Sequence, residues 1–211
     1  MKMTIIKDKN YDWQHLVSTY KKIVNPDMEV VEVGSSNPDR TVDLSRYCKK
    51  LIGVEKFLER IPKNLASVNN IKIVKGDWLY LSKIVSPNSI DIIVSSHVVE
   101  HVKDDLECLD QSFEVLKNGG YLLFNTPNRK RLTRSIIEVF TGERKFPYWE
   151  HIREYTRKDL EELITGSKFS LSKAKITGLV LGIHSGIRLF FKRVPFFLDK
   201  FSNFWGVLIQ K

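Results

Sequence analysis

The chain has 211 residues, 42% of them hydrophobic and 28% charged, with two cysteines and a formal net charge of +9. That length suits one sizeable core, so a single domain over residues 1–211 is expected. No apolar run reaches the ~18 residues of a membrane span, the opening MKMTIIKDKNYDW is too polar for a secretory signal, and Cys48 and Cys108 have no partner spacing, so a cytoplasmic protein with reduced thiols is expected.

The first periodic segment is Asp12–Val24, where Trp13, Leu16, Val17, Tyr20, Ile23 and Val24 recur near helical spacing before the break at Asn25-Pro26. Val30-Val31 and Val33, interrupted by Glu32 and ended by Gly34, predict a buried strand of a parallel sheet. Asn37-Pro38-Asp39 marks a helix start, with Asn37 as N-cap and proline at the first helical position. Leu51-Ile52-Gly53-Val54 is a second strand, and it ends on Glu55. Strand, glycine turn, helix, strand and acid make the βαβ layout in which a nucleoside-containing ligand lies across strand ends. A carboxylate suits the ribose because it only accepts, and two adjacent hydroxyls can donate to its two oxygens.

Phe57–Ala66 is the next predicted helix and Ile71–Val74 the third strand, followed by Gly76-Asp77-Trp78. Ile90–Ser96 is the fourth strand and runs into HVVEHV. Val102–Leu116 reads as an amphipathic helix stopped by Asn118-Gly119-Gly120, and Tyr121–Asn125 as the fifth strand, ending in Thr126-Pro127-Asn128. HIREYT, residues 151–156, opens a further helix with Thr156 as N-cap and Asp159 three residues on. Strands over Phe169–Leu179 and Phe204–Ile209 complete the alternation. Segments 129–150 and 182–201 stand outside it. The first leaves from the carboxyl end of a strand, where doubly wound sheets bind ligands, and is the expected substrate lid.

Two families share the layout of residues 28–55, and the turn separates them. A dinucleotide-binding turn is G-x-G-x-x-G, whereas Gly34-Ser35-Ser36-Asn37-Pro38 has one glycine, with Glu32 two residues before it. The stretch resembles the first motif of class I S-adenosylmethionine (AdoMet) dependent methyltransferases, acid-x-Gly-x-Gly-x-Gly. Glu32 and Gly34 match, and Ser36 and Pro38 stand at the later glycines. SSHVVEHV, LKNGGYLLF, TPNR and HIREYT, in that order, are similar to the subgroup of quinone and small-molecule O-methyltransferases. The resemblance runs from about Met28 to Gly166. It implies an α/β fold with a doubly wound, mostly parallel seven-stranded sheet and a C-terminal antiparallel strand pair. It also implies AdoMet as methyl donor, contacted by Glu32, Gly34, Ser35, Ser36, Glu55, Lys56, Asp77, Trp78, Ser96 and His97. Within that set Glu55 would take the ribose, Asp77 the adenine amine, and a flanking apolar or aromatic side chain would pack on the purine. A simple turn cap is the plain alternative for Asp77.

Methyl transfer is an in-line displacement at an activated sulfonium carbon, so the protein mainly positions the acceptor and excludes water. A hydroxyl acceptor must also lose a proton, which calls for a base or a metal. His97, His101 and His151 are the candidate catalytic residues. His97, Glu100 and His101 have spacings that share one face of a helix, and His151 lies beyond the fifth strand. Together these four resemble the E-x-x-E-H metal motif of certain O-methyltransferases, including small-RNA 2′-O-methyltransferases, with His97 in place of the first acid. A divalent ion is therefore one expectation. The other, given precedence, is that Glu100 and His101 brace the turn and His97 lines the pocket without metal.

Residues 1–127 carry 17 basic and 17 acidic side chains, so the whole +9 lies after them. Segment 187–201, IRLFFKRVPFFLDKF, mixes phenylalanines with Arg188, Lys192 and Arg193. Such a mixture fits an anionic or amphiphilic small-molecule acceptor, peripheral contact with a membrane, or RNA; its plain alternative is a helix packed on the sheet. The expected function is methyl transfer to a small acceptor. The alternatives are a metal-assisted RNA 2′-O-methyltransferase and a non-catalytic AdoMet-binding protein.

Overall fold

The computed structural model describes residues 4–5, 10–60, 65, 68–131, 134, 138–140, 150–181, 189–190 and 196–211. In chain order the strands are β1 (Thr4–Ile5), β2 (Glu29–Val33), β3 (Lys50–Glu55), β4 (Ile71–Lys75), β5 (Ile90–Ser96), β6 (Leu116–Pro127), β7 (Ala174–Leu179), β8 (Leu189–Phe190) and β9 (Phe204–Gln210). The α-helices are α1 (Tyr11–Ile23), α2 (Pro38–Ser45), α3 (Asp105–Val115) and α4 (Arg157–Gly166). Seven strands form one sheet in the order β4-β3-β2-β5-β6-β9-β7, and β1 pairs with β8 in a separate antiparallel ribbon. β2 to β6 run parallel, while β9 is antiparallel to both β6 and β7.

The Val- and Ile-rich runs of β2, β3 and β5 form strands buried on both faces, as the interior of a parallel sheet requires. Val30, Leu51, Ile92, Val94 and Leu123 cluster with Trp13, Leu16 and Tyr20 of α1 and Leu44 of α2. Val31, Val33, Ile52, Ile93 and Phe124 cluster with Leu109 and Val115 of α3 and Leu160 and Ile164 of α4. Full burial of one such side chain stabilises by about 1.5–3 kcal/mol, so the two clusters dominate the energetics. Side chains fix the helix starts. Asn37 accepts from the Arg40 amide, Asp104 from the Glu107 amide, and Thr156 and Asp159 form a reciprocal capping box.

Several boundaries differ from the sequence expectation. α3 stops at Val115, and Asn118-Gly119-Gly120 belongs to β6 instead of terminating the helix. The register slips there: Ile90 faces Leu116, but Ile92 faces Tyr121. The extra residues form a bulge whose Gly119 amide and Gly120 carbonyl pair with Lys211 at the end of β9. β7 is shorter than predicted because Leu171–Lys173 form a 3₁₀ turn, while Phe169 packs into the core edge-on to Phe113. Of the helix expected over Phe57–Ala66, a 3₁₀ turn at Leu58–Arg60 is described and most of the rest lies outside the described residues. Most of segment 182–201, with Arg188, Lys192 and Arg193, lies outside them too, as does 141–149. Among the described residues no helix is long and apolar enough to cross a membrane.

The connections that leave the sheet matter most for the site. β7 runs parallel to β6, since both oppose β9, so the chain leaves β7 and re-enters β9 at the carboxyl end of the parallel strands. The connection after β6 leaves from that end as well. Asn128 joins the two roots, its side-chain amide donating to the carbonyls of Lys200 and Ser202 at 2.9 and 2.7 Å.

Candidate active site

Strand order reverses between β2 and β5: β3 and β4 follow β2 to one side, and β5 lies on the other. A crevice opens at the carboxyl ends of strands at such a point. Gly34 ends β2 there with a φ of +86°, and a Cβ on it would lie 2.5 Å from Val98 Cγ2. The left-handed backbone and the close approach both require glycine. Gly34→Ala is expected to destabilise the fold by about 1–3 kcal/mol, read as a lowered urea midpoint at unchanged slope.

The turn is built around protein contacts on one side and open on the other. Ser35 is fully buried, donates to the Glu32 carbonyl at 3.1 Å and packs over Gly53 of β3; Ser36 is exposed. Glu32 points inward and accepts from the Thr41 hydroxyl at 2.6 Å, tying β2 to α2. Burial pushes its carboxyl up to about 7, against the opposing hydrogen bond from Thr41. Glu55 is buried at the end of β3 and accepts from the Phe57 amide at 3.0 Å. Asp77 caps the following 3₁₀ turn by accepting from the Leu79 amide, and its other oxygen pairs with Lys56 at 2.8 Å. Trp78 departs from expectation. It is 2% exposed and donates to Ser112 of α3 at 2.8 Å, so its indole belongs to the core and is not free to lie on a purine.

His97 follows β5 with a φ of +56°, outside any helix. Its Nε2 lies 2.7 Å from Asp12 of α1, and its Nδ1 lies 3.1 Å from Glu100. Asn125, at the end of β6, accepts from the His97 amide and reaches Asp12 with its own amide; Thr126 donates to the second Glu100 oxygen at 3.1 Å. The His97 ring stands edge-on to Phe204, with centroids 5.3 Å apart. Burial opposes a charge on His97, but the hydrogen bonds to Asp12 and Glu100 outweigh it and raise the imidazole to about 9. Burial likewise opposes a charge on Asp12, and His97 overcomes it, holding the carboxyl below its ordinary value. At neutral pH His97 is therefore an imidazolium with both ring nitrogens engaged. Engagement of both ring nitrogens within the protein argues against a general-base or metal-ligand role for His97, and the metal-capable cluster among the described residues is Glu100, His101 and His151.

The predicted four-residue cluster accordingly divides, with Glu100 shared. Ligand atoms of Glu100, His101 and His151 lie within 4.8 Å of one another. His101 Nδ1 donates to the Glu150 carbonyl at 2.9 Å, and His151 Nδ1 sits 3.1 Å from Glu154, which also takes both terminal nitrogens of Arg131. The carbonyl acceptor at His101 Nδ1 puts that ring's lone pair on Nε2, the tautomer that suits proton acceptance or metal ligation. The amides of Ile152 and Arg153 donate to the Glu100 carbonyl, which brings the HIREYT segment onto the turn after β5.

Sequence reasoning missed Asp12 and Asn125. Asp12 stands 85 positions before its partner His97, so no spacing could flag it. Asn125 had a weak signal, a polar side chain at the end of an apolar strand.

A family model described as a methyltransferase domain matches residues 6–172. A curated protein of Mycolicibacterium smegmatis, named "Probable S-adenosylmethionine-dependent methyltransferase", is 24% identical over 170 residues. That match covers 79% of this chain, which spans 62% of the relative's length. A SAM-dependent methyltransferase structure from Thermotoga maritima superposes with a TM-score of 0.66 at 20% identity, over 96% of this chain and 90% of that one. Another from Archaeoglobus fulgidus gives a TM-score of 0.67 at 16% identity, covering 97% and 95% of the two chains. At these identities the structural likeness is one of fold.

Proposed function

This chain belongs to the methyltransferase domain family, and we propose that it moves the methyl group of AdoMet to a small anionic or lipid-linked acceptor. The observation that carries the reading is the reversal of strand order between β2 and β5, with the Gly34 turn between the buried Glu55 carboxylate and the His97 turn. AdoMet, when bound, supplies a sulfonium-activated methyl group. Glu55 would accept from its ribose hydroxyls, Asp77 from its adenine amine, and Ser36 and Ser96 line the open side of the turn. His97, as a fixed cation, shapes the floor. His101 is the better proton acceptor, since its Nδ1 proton is held by the Glu150 carbonyl. The connections after β6 and β7 leave the sheet at this same end.

The basic second half supports an anionic acceptor, with 17 basic against 8 acidic residues after residue 127. Internal pairing offsets part of that charge: Arg131 pairs with Glu154, Arg134 with Glu138, Arg153 with Asp105 and Arg157 with Asp199. The test is transfer of labelled methyl from AdoMet to separated lipid, small-metabolite and RNA fractions. We expect label in an anionic lipid or metabolite, with an acceptor KM that rises with salt more than AdoMet affinity falls. Label in RNA alone would overturn the small-acceptor reading, and binding without any transfer would favour a non-catalytic protein.

The Glu100–His101–His151 cluster favours a second reading, in which a divalent ion activates the acceptor oxygen. On that reading a chelator abolishes transfer, a divalent ion restores it, and His151→Ala weakens ion binding while sparing AdoMet. Full activity after exhaustive chelation would leave the histidines as base and brace.

A further inference from the structure

We infer that Arg40 is the counter-ion for the α-carboxylate of the donor's amino-acid arm. This inference rests on AdoMet being the donor. Arg40 lies in the first turn of α2, where its guanidinium covers the Trp13 ring of α1 at 4.8 Å and donates to Ser96 at the end of β5 at 3.3 Å. Three elements therefore hold one cation beside the β2–β5 switch point. Among the described residues no carboxylate lies within ion-pair distance of it. Asp12 and Glu32 both feel the Arg40 charge through space, but they are engaged elsewhere, Asp12 with His97 and Glu32 with Thr41.

A guanidinium has five N–H donors, and a single neutral hydroxyl leaves most of them to a ligand. Its planar fork matches a carboxylate with two parallel hydrogen bonds, and the stacked Trp13 ring fixes the plane of that fork. The start of α2 adds a favourable partial positive charge on the same side. Position agrees with chemistry. Ser96 ends β5 and Glu55 ends β3, with β2 between them, so the two sites stand about 10 Å apart. A ribose held at Glu55 places the extended aminobutyrate arm along the Gly34 turn, with its carboxylate toward Arg40.

The test separates the charge of the ligand from its nucleoside. S-adenosylhomocysteine carries the α-carboxylate, and 5′-methylthioadenosine has the same nucleoside without the amino-acid arm. For Arg40→Gln we expect S-adenosylhomocysteine to bind about 10- to 100-fold more weakly by calorimetry, with 5′-methylthioadenosine within about twofold of wild type. Arg40→Lys keeps the charge but not the fork and should recover part of the loss. In wild type, the α-carboxamide of S-adenosylhomocysteine should bind more weakly than the acid, a comparison that needs no variant to fold. Equal losses for both ligands, or no loss for either, would overturn the assignment and leave Arg40 as a brace between α1 and β5. Failure of wild type to bind either ligand would instead defeat the functional reading itself.

Discussion

Replacing His97 by alanine is expected to cost about 3–5 kcal/mol of stability, because it leaves two buried carboxylates without the cation between them. The Asp12 and Glu100 side chains are 9% and 0% exposed, so water cannot take over the role of the imidazolium. Asn125 and Thr126 would still donate to them, but as neutral partners. The same arrangement makes stability fall with pH. His97 is raised from its ordinary value of 6.5 to about 9, so its contribution is complete below 6.5 and is lost as pH rises through 9. The loss over that window is at most about 3 kcal/mol, since one pKa unit corresponds to about 1.4 kcal/mol. Urea titrations at about pH 6 and pH 9.5 should show the loss in wild type and a flatter profile in His97→Asn. A wild-type curve as flat as the variant's would mean that His97 is neutral in the folded state.

The second large effect concerns the donor. Glu55→Ala should weaken S-adenosylhomocysteine binding by about 2–4 kcal/mol, or roughly 30- to 1000-fold, through loss of charge-assisted hydrogen bonds to the ribose. Glu55 ends β3 with a buried carboxylate, and one of its oxygens accepts from the Phe57 amide. The alanine variant therefore also frees that amide, a separate penalty of about 1 kcal/mol on folding. Glu55→Gln keeps an acceptor for the amide and isolates the effect of charge. Calorimetry giving wild-type affinity in both variants would remove Glu55 from the donor site.

Features set by local chemistry were legible in the sequence. Asn37 caps α2 with Pro38 at its first position, Thr156 and Asp159 form a capping box, and the Val-rich runs became the central parallel strands. Each of these depends on neighbours within a turn or on a simple alternation. What escaped depends on distant partners or on one unusual backbone angle. The spacing of His97, Glu100 and His101 suggested a shared helical face, but the left-handed residue at 97 breaks the phase and turns its ring toward Asp12. Trp78 reads as a ligand-stacking aromatic beside Asp77; its Ser112 partner, 34 residues on, decides otherwise. The bulge at Asn118-Gly119-Gly120 was invisible for a similar reason, since its partner is Lys211, the residue after β9.

The place of β9 has a consequence for how the chain acquires its structure. β9 is the last strand in sequence, yet it lies between β6 and β7. During synthesis the five parallel strands can assemble first, with β6 left as an unpaired edge carrying seven positions that await partners on β9. Such an edge is a template for pairing with other chains. β7 emerges next, but in the finished sheet it touches β6 only through β9, so it has no lasting place until residues 204–210 arrive. The closing step therefore joins strand segments made far apart in time, a slow kind of step in which nascent chains are prone to aggregate. The bases of the two connections that flank the crevice, held together at Asn128, reach their final positions only in that same step.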